Sequence, residues 1–338
     1  MKRILVTGGA GFIGSNFVQY MLDTHDDVFI VVLDALTYAG NLDNLKPVME
    51  HERFMFFHGD VRDDELVVDL IRNVDYVVHF AAETHVDRSI LDAGVFIDTD
   101  VFGTFVLLEA ARNAGIKRFV HISTDEVYGE APGRPSLEDD ALMPKSPYAA
   151  SKAGADRLAF SYCMTYGLPV VISRCSNNYG PYQYPEKLIP LFVTNALEDK
   201  PLPVYGTGES TRDWIYVLDH CRAIDALLWA DGVVGEAFNI GAAVELSVVQ
   251  ITDIILEQLN KPKSLIKHVD DRLGHVVRHA VDTTKINKAI GWESAYDFPG
   301  NMESTVKWYI ENENWWRKVK DKSKEYKAWV EAQYKEME

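Results

Sequence analysis

The sequence predicts an α/β fold, a doubly wound parallel sheet with a smaller carboxyl-terminal lobe, and three observations carry that expectation. Short β-branched runs (4–7, 28–33, 76–80, 119–122) alternate with longer stretches of helical spacing up to Cys175. Runs this short and this apolar suit strands buried on both faces, and strands separated by helices pair in parallel. A glycine-rich loop follows the first run and polar residues follow the others, so chemistry gathers at strand carboxyl ends, where open α/β sheets bind ligands. Past Cys175 the texture changes to shorter elements mixed with turns. The expected division is a sheet domain over residues 1–175, with later segments returning to it, and a lobe plus terminal helix over 176–338.

Taken in order, Ile4-Leu5-Val6-Thr7 is a strand, Gly8-Gly9-Ala10-Gly11-Phe12-Ile13-Gly14 a loop, and residues 15–22 a helix. Gly9, Gly11 and Gly14 satisfy G-x-G-x-x-G, and Gly8, Gly11 and Gly14 give the G-x-x-G-x-x-G variant. Missing side chains let backbone N–H groups and the helix N-terminus approach a pyrophosphate. The next run ends in Asp34, 20 residues after Gly14, where a carboxylate takes the adenosine ribose hydroxyls and repels a 2′-phosphate. A tight turn with a capping Asp would explain either feature alone. Strand, loop, helix, strand and acid together point to a Rossmann-like domain that binds NAD rather than NADP. Phe54-Met55-Phe56-Phe57 leads to Asp60-Val61, placed at the adenine border, and the run ending in Phe80 leads to Ala81-Ala82-Glu83-Thr84. The small alanines there let a cofactor lie close to the backbone. A long helical pattern covers 92–113.

The fifth run opens onto Ser123-Thr124-Asp125-Glu126-Val127-Tyr128-Gly129. Two carboxylates and a hydroxyl at a strand end can donate, accept and hold protons around one substrate. Then comes Ser146-Pro147-Tyr148-Ala149-Ala150-Ser151-Lys152, in which Ser146 caps a helix and Tyr148 and Lys152 fall at i and i+4 on one face. An ammonium one turn from a phenol favours the phenolate, which makes Tyr148 a base. A turn and a helix-surface coincidence would account for the two motifs separately; in this order, behind the glycine loop, the catalytic reading is the better one.

Composition sets the bounds. The chain of 338 residues is 47% hydrophobic and 25% charged, as globular proteins are. A net charge of −17 argues against nucleic-acid binding, whose footprint is basic. Three cysteines without a CxxC pair fit a reducing cytoplasm, the opening strand leaves no room for a signal peptide, and no apolar run approaches the ~20 residues of a membrane span. The ten histidines have no metal-ligand spacing, so no metal is expected, and His79 and His121 fall on buried strands as core residues. The loop Ser176-Asn177-Asn178-Tyr179-Gly180-Pro181-Tyr182 is too aromatic for a linker and suits binding. Lys187, Arg212, Arg272 and Arg278 are candidates for facing phosphates. The tail from Trp308 mixes tryptophans with lysines, as a terminal helix packing by its aromatic side would.

The glycine loop, the Tyr148/Lys152 pair and the strand pattern resemble the extended short-chain dehydrogenase/reductases across nearly the whole chain. Within them, Asp34-Ala35-Leu36-Thr37-Tyr38-Ala39-Gly40-Asn41, Ala81-Ala82-Glu83-Thr84-His85-Val86-Asp87-Arg88-Ser89, the Thr124-Asp125-Glu126 stretch and the loop after Cys175 resemble the dTDP-glucose 4,6-dehydratases. The Asp-Glu pair is the specific part; related sugar epimerases, needing no elimination, carry small or hydroxylated residues there. The resemblance implies a homodimer through a four-helix contact and a nucleotide-sugar substrate. It implies that Thr124, Asp125, Glu126, Tyr148 and Lys152 are catalytic, and that Ala35, Leu36, Thr37, Thr99 and Asn178 join the cofactor residues above. It puts Thr84, Asn177, Lys187, Leu188, Pro203, Tyr205, Arg212 and His275 near the sugar nucleotide. The chain departs from the family pattern at Val248, where an Asn is usual, and at Leu273-Gly274-His275-Val276-Val277-Arg278-His279, where Pro-Gly-His-Asp-Arg-Arg-Tyr is usual. A uridine diphosphate sugar is therefore the alternative substrate. An epimerase, or an idle dinucleotide-binding scaffold, is the alternative function.

Overall fold

A computed structural model describes residues 1–271, 273–322, 324 and 326–328. The strands are β1 (Lys2–Thr7), β2 (Val28–Asp34), β3 (Phe54–His58), β4 (Tyr76–His79), β5 (Arg118–Thr124), β6 (Val170–Cys175), β7 (Asn177–Tyr179), β8 (Leu202–Tyr205), β9 (Thr211–Tyr216), β10 (Ala237–Ile240), β11 (Glu245–Ser247), β12 (Ile266–Val269) and β13 (Arg278–His279). Between them run α1 (Phe12–Thr24), α2 (Asp64–Ile71), α3 (Val86–Leu91), α4 (Gly94–Phe96), α5 (Gly103–Ala114), α6 (Pro147–Tyr166), α7 (Leu188–Leu197), α8 (Val217–Trp229) and α9 (Val248–Gln258), followed by α10 (Thr284–Ile290), α11 (Phe298–Glu311) and α12 (Glu313–Lys322).

Seven strands form the expected parallel sheet, in the order β10-β6-β5-β4-β1-β2-β3. Alternation along β1 decides which layer each side chain joins. Ile4 and Val6 pack with Phe17, Val18 and Met21 of α1; Leu5 packs on the other face with Val67 and Ile71 of α2 and Leu107 and Ala111 of α5. Strand order reverses between β1 and β4, which opens a crevice at their carboxyl ends.

Local chemistry sets the helix that carries Tyr148. Ser146 Oγ accepts from the Ala149 N–H at 3.1 Å, Pro147 fills the first turn, and Gly167 ends α6 at φ 70°. The long helix expected over 92–113 is α4 and α5 joined by one π turn, Ile97–Phe102. That turn carries Thr99 and the buried Asp100, and such turns concentrate at functional sites.

The lobe is built around β9, which pairs with β7, β11 and β13, while β8 pairs with β12. Because β7 follows β6 directly, the lobe hangs from the sheet beside the crevice. The aromatic tail folds as α11 and α12, with Trp308 set 4.8 Å from Tyr182 and 5.1 Å from Trp315, centroid to centroid. No helix among the described residues is long and apolar enough to cross a membrane.

Candidate active site

Sheet and lobe enclose a cavity of about 500 Å³. The glycine loop forms one wall. Gly8 sits at φ +71°, and a Cβ there would meet the Ala81 nitrogen at 2.6 Å; a Cβ on Gly14 would meet the Gly8 carbonyl at 2.2 Å. Backbone therefore crosses backbone where β1 and β4 end, leaving a cradle that only glycine permits. Asp34 stands beside it, with Oδ2 accepting from the Ala10 N–H at 2.9 Å and Oδ1 from the Leu36 N–H at 2.8 Å. Burial pushes its carboxyl up while these two bonds pull it down. Each oxygen keeps a lone pair for a ribose hydroxyl. The donor set fits a dinucleotide with a free ribose.

Every cofactor residue expected above lines this cavity except Leu36 and, in the glycine loop, Gly9, which packs against Val32. At φ 51° Leu36 turns its N–H onto Asp34 and packs its side chain against the hydrophobic core. The eight expected sugar-nucleotide residues all line the cavity, as does Val248. Lys187 Nζ donates to the Thr84 carbonyl; Tyr205 Oη donates to Asp87 Oδ2 at 3.3 Å; Arg212 reaches the Val276 carbonyl at 3.0 Å. Arg278 does not line the cavity: Glu245 holds it in a bidentate pair at 2.6 Å. Arg272 lies outside the described residues.

At the end of β5, Thr124 caps a single turn of 3₁₀ helix by accepting from the Glu126 N–H at 3.3 Å. This turn presents Thr124, Asp125 and Glu126 to the cavity across from Tyr148 and Lys152. Lys152 Nζ is buried and donates to the Ile122 carbonyl at 2.7 Å. Burial, Glu126 and Asp100 push the Tyr148 phenol well above 10.0, with the Thr124 hydroxyl pulling the other way. The lowered phenol expected from Lys152 is not found, because burial of the phenol dominates and the Lys152 ammonium turns to a backbone carbonyl. Asp100 supports the arrangement, accepting from Ser151 Oγ at 2.6 Å and from the Glu83 N–H at 2.8 Å. His79 is a core residue as expected, held by Thr7 at 2.7 Å and Thr104 at 3.0 Å, with His121 buried beside it.

Sequence reasoning missed several lining residues: Glu83, Asp87, Glu186, Trp214 and His220. Trp214 was within reach, since it lies two residues after Arg212 on one strand and so shares its face. Glu186 shows itself only in the fold, where Arg88 grips its Oε2 from 2.8 and 3.0 Å while lying 3.8 Å over the Tyr38 ring. His220 Nδ1 pairs with Asn178 Oδ1 at 3.1 Å, and burial lowers its pKa to about 3. No group of metal-binding side chains occurs among the described residues.

The chain is similar to known proteins. The family profile described as GDP-mannose 4,6 dehydratase matches residues 5–305. The low-salt glycan biosynthesis protein Agl12 of Haloferax volcanii is 52% identical, over 91% of this chain and 98% of its own. A dTDP-glucose 4,6-dehydratase of Streptomyces niveus is 48% identical, over 94% and 96%. The crystal structure of DesIV, a dTDP-glucose 4,6-dehydratase from Streptomyces venezuelae solved with NAD bound, superposes with a TM-score of 0.92 at 50% identity, covering 94% of this chain and 99% of that one. On the match over most of its length and on these identities, the chain belongs to the GDP-mannose 4,6 dehydratase family.

Proposed function

We propose that the protein is an NAD-dependent hydro-lyase that converts dTDP-glucose to dTDP-4-keto-6-deoxyglucose and water. The observation that carries the reading is that a dinucleotide cradle, a Tyr/Lys pair and two adjacent carboxylates face one cavity. Residues 1–175 serve the cofactor and most of 176–338 the sugar nucleotide.

Gly8, Gly11, Gly14 and Asp34 would hold the dinucleotide. Bound NAD⁺ supplies a hydride acceptor for C4, later a hydride donor for C6, and a cationic ring that favours the Tyr148 phenolate. Tyr148 takes the C4 hydroxyl proton, with Thr124 aligning the sugar and Lys152 adding a positive charge one helical turn away. The C4 ketone acidifies C5, and Glu126 takes that proton. Asp125, protonated, donates to the C6 hydroxyl as the C–O bond breaks and water leaves. Glu126 then returns its proton to C5. No net oxidation occurs, so the cofactor stays with the protein. General acid–base steps of this kind are worth about 10²–10⁴ each.

Val248 supports a second reading, in which the sugar carries uridine diphosphate, because it puts an apolar surface where a polar contact to the nucleotide is usual. A lost hydrogen bond costs about 0.5–1.5 kcal/mol. Comparing kcat/KM for dTDP-glucose, UDP-glucose and UDP-N-acetylglucosamine decides between them; a preference of about tenfold or more for either uridine substrate overturns dTDP-glucose.

A homodimer is part of the proposal. Ile97, Phe102 and Phe105 are exposed along the π turn and α5, as are Met164 and Tyr166 at the end of α6. Two such faces brought together would form a four-helix contact. Three free cysteines, two of them buried, suit a cytoplasmic protein.

A further inference from the structure

Asp125 leaves one oxygen unused. Its Oδ1 accepts from Thr124 Oγ1 at 3.2 Å, while Oδ2 is buried without a hydrogen-bond partner among the described residues. Facing it is His279 Nδ1, 3.9 Å away, also buried and also without a partner among them. Asp125 is 4% exposed and His279 3%, and pairing of β13 with β9 sets His279 beside Arg212. Two orphaned polar atoms are costly to bury. Here they lie 3.9 Å apart, just beyond hydrogen-bond reach. Catalytic hydrogen bonds that are long in ligand-free enzymes tighten in the substrate complex.

The surrounding charges leave this partnership open. Lys145 pairs with Glu130, Arg278 with Glu245 and His275 with Asp271, and Arg212 bonds to backbone carbonyls. Asp213 and Glu126, close by, are carboxylates and offer the open oxygen no N–H.

We propose that His279 is a positioning residue for Asp125, hydrogen-bonding to its open oxygen and returning to it the proton that each elimination spends. The step rests on the function proposed above. In one turnover Tyr148 gains the C4 hydroxyl proton and Asp125 loses one to the departing water. His279 Nδ1–H makes good that loss, its own proton is replaced from solvent, and Tyr148 releases its gain to solvent. Over the cycle protons balance.

His279→Gln and the ring-preserving His279→Phe test this, with thermal melts confirming that they fold. With dTDP-glucose, kcat should fall about tenfold or more while KM stays within about twofold. Enzyme-bound NADH absorbance should build up. In an Asp125→Asn background, His279→Gln should cause no further loss, because His279 acts through Asp125. Folded variants with wild-type kcat and no NADH build-up, or an equal loss in both backgrounds, would overturn the proposal. Wild-type protein that forms no 4-keto-6-deoxy sugar would instead overturn the functional reading, and this step with it.

Discussion

Asp34 and Asp125 are both buried carboxylates at carboxyl ends of one parallel sheet, and the sheet treats them in opposite ways. Both oxygens of Asp34 are pinned by backbone N–H groups, from Ala10 and Leu36. Asp125 has one oxygen on Thr124 and one without a hydrogen-bond partner among the described residues. Backbone donors favour the ionised form and fix its direction, which suits a group whose task is to accept hydrogen bonds from a ribose. An acid that must gain and lose a proton cannot be held that way, since each fixed donor would bias it toward carboxylate. The difference is that between a binding and a reacting group. It originates in the local backbone: a loop that folds back over β2 in one case, a single 3₁₀ turn in the other.

The largest effect should come from the reacting side. Asp125→Asn and Glu126→Gln should each lower kcat by about 10²–10⁴. Both should still permit C4 oxidation, so substrate addition should leave NADH absorbance standing on the enzyme. Tyr148→Phe should suppress that absorbance as well. Carboxamide variants that turn over at the wild-type rate would erase the contrast between the two strand ends.

On the binding side the loss should appear in affinity. Asp34→Asn removes a charged acceptor worth about 1.5–3 kcal/mol, so NAD should be retained about 10- to 100-fold less well. At saturating NAD, kcat should recover. A kcat defect that added cofactor does not repair would make Asp34 more than a binding group.

Glu83, after β4, is a third case and should show the smallest effect. Burial, with Asp100 adding to it, raises its pKa from 4.5 to about 7. The folded state therefore holds this proton more tightly than the unfolded chain does. Its favourable contribution is complete below pH 4.5 and is lost as pH rises through about 7. Melting temperatures of wild type and Glu83→Gln should agree near the acidic end of this window, and the variant should be the more stable above it. Parallel curves across the window would mean that Glu83 finds an ionic partner on folding.

The two sides also differed in how far the sequence disclosed them. The cradle is local: Gly8 to Gly14, Asp34 and Ala81 follow directly from strands whose ends are marked by composition, so fold class and cofactor side were legible. Leu36 keeps its side chain off the cavity because its positive φ, which turns that side chain into the core, is a property of the loop and not of the motif. The rest of the cavity wall takes in Asp87, Glu186 and His220, far apart in the chain and brought together by α3, the segment before α7, and α8. No periodicity records such a meeting. Tyr148 and Lys152 were found by their helical spacing, but what Lys152 does to the phenol depends on burial and on the Ile122 carbonyl, which spacing does not convey.

The central claim is that Tyr148, Asp125 and Glu126 act in turn on one sugar without net oxidation. It is tested most directly by turnover of dTDP-glucose in D₂O, with product mass and NADH followed together. The account predicts a product short of one water, carrying one solvent deuterium at C5 delivered through the exchangeable proton of Glu126, and no accumulation of free NADH. A product isomeric with the substrate, or one formed with stoichiometric reduction of added NAD, would contradict it.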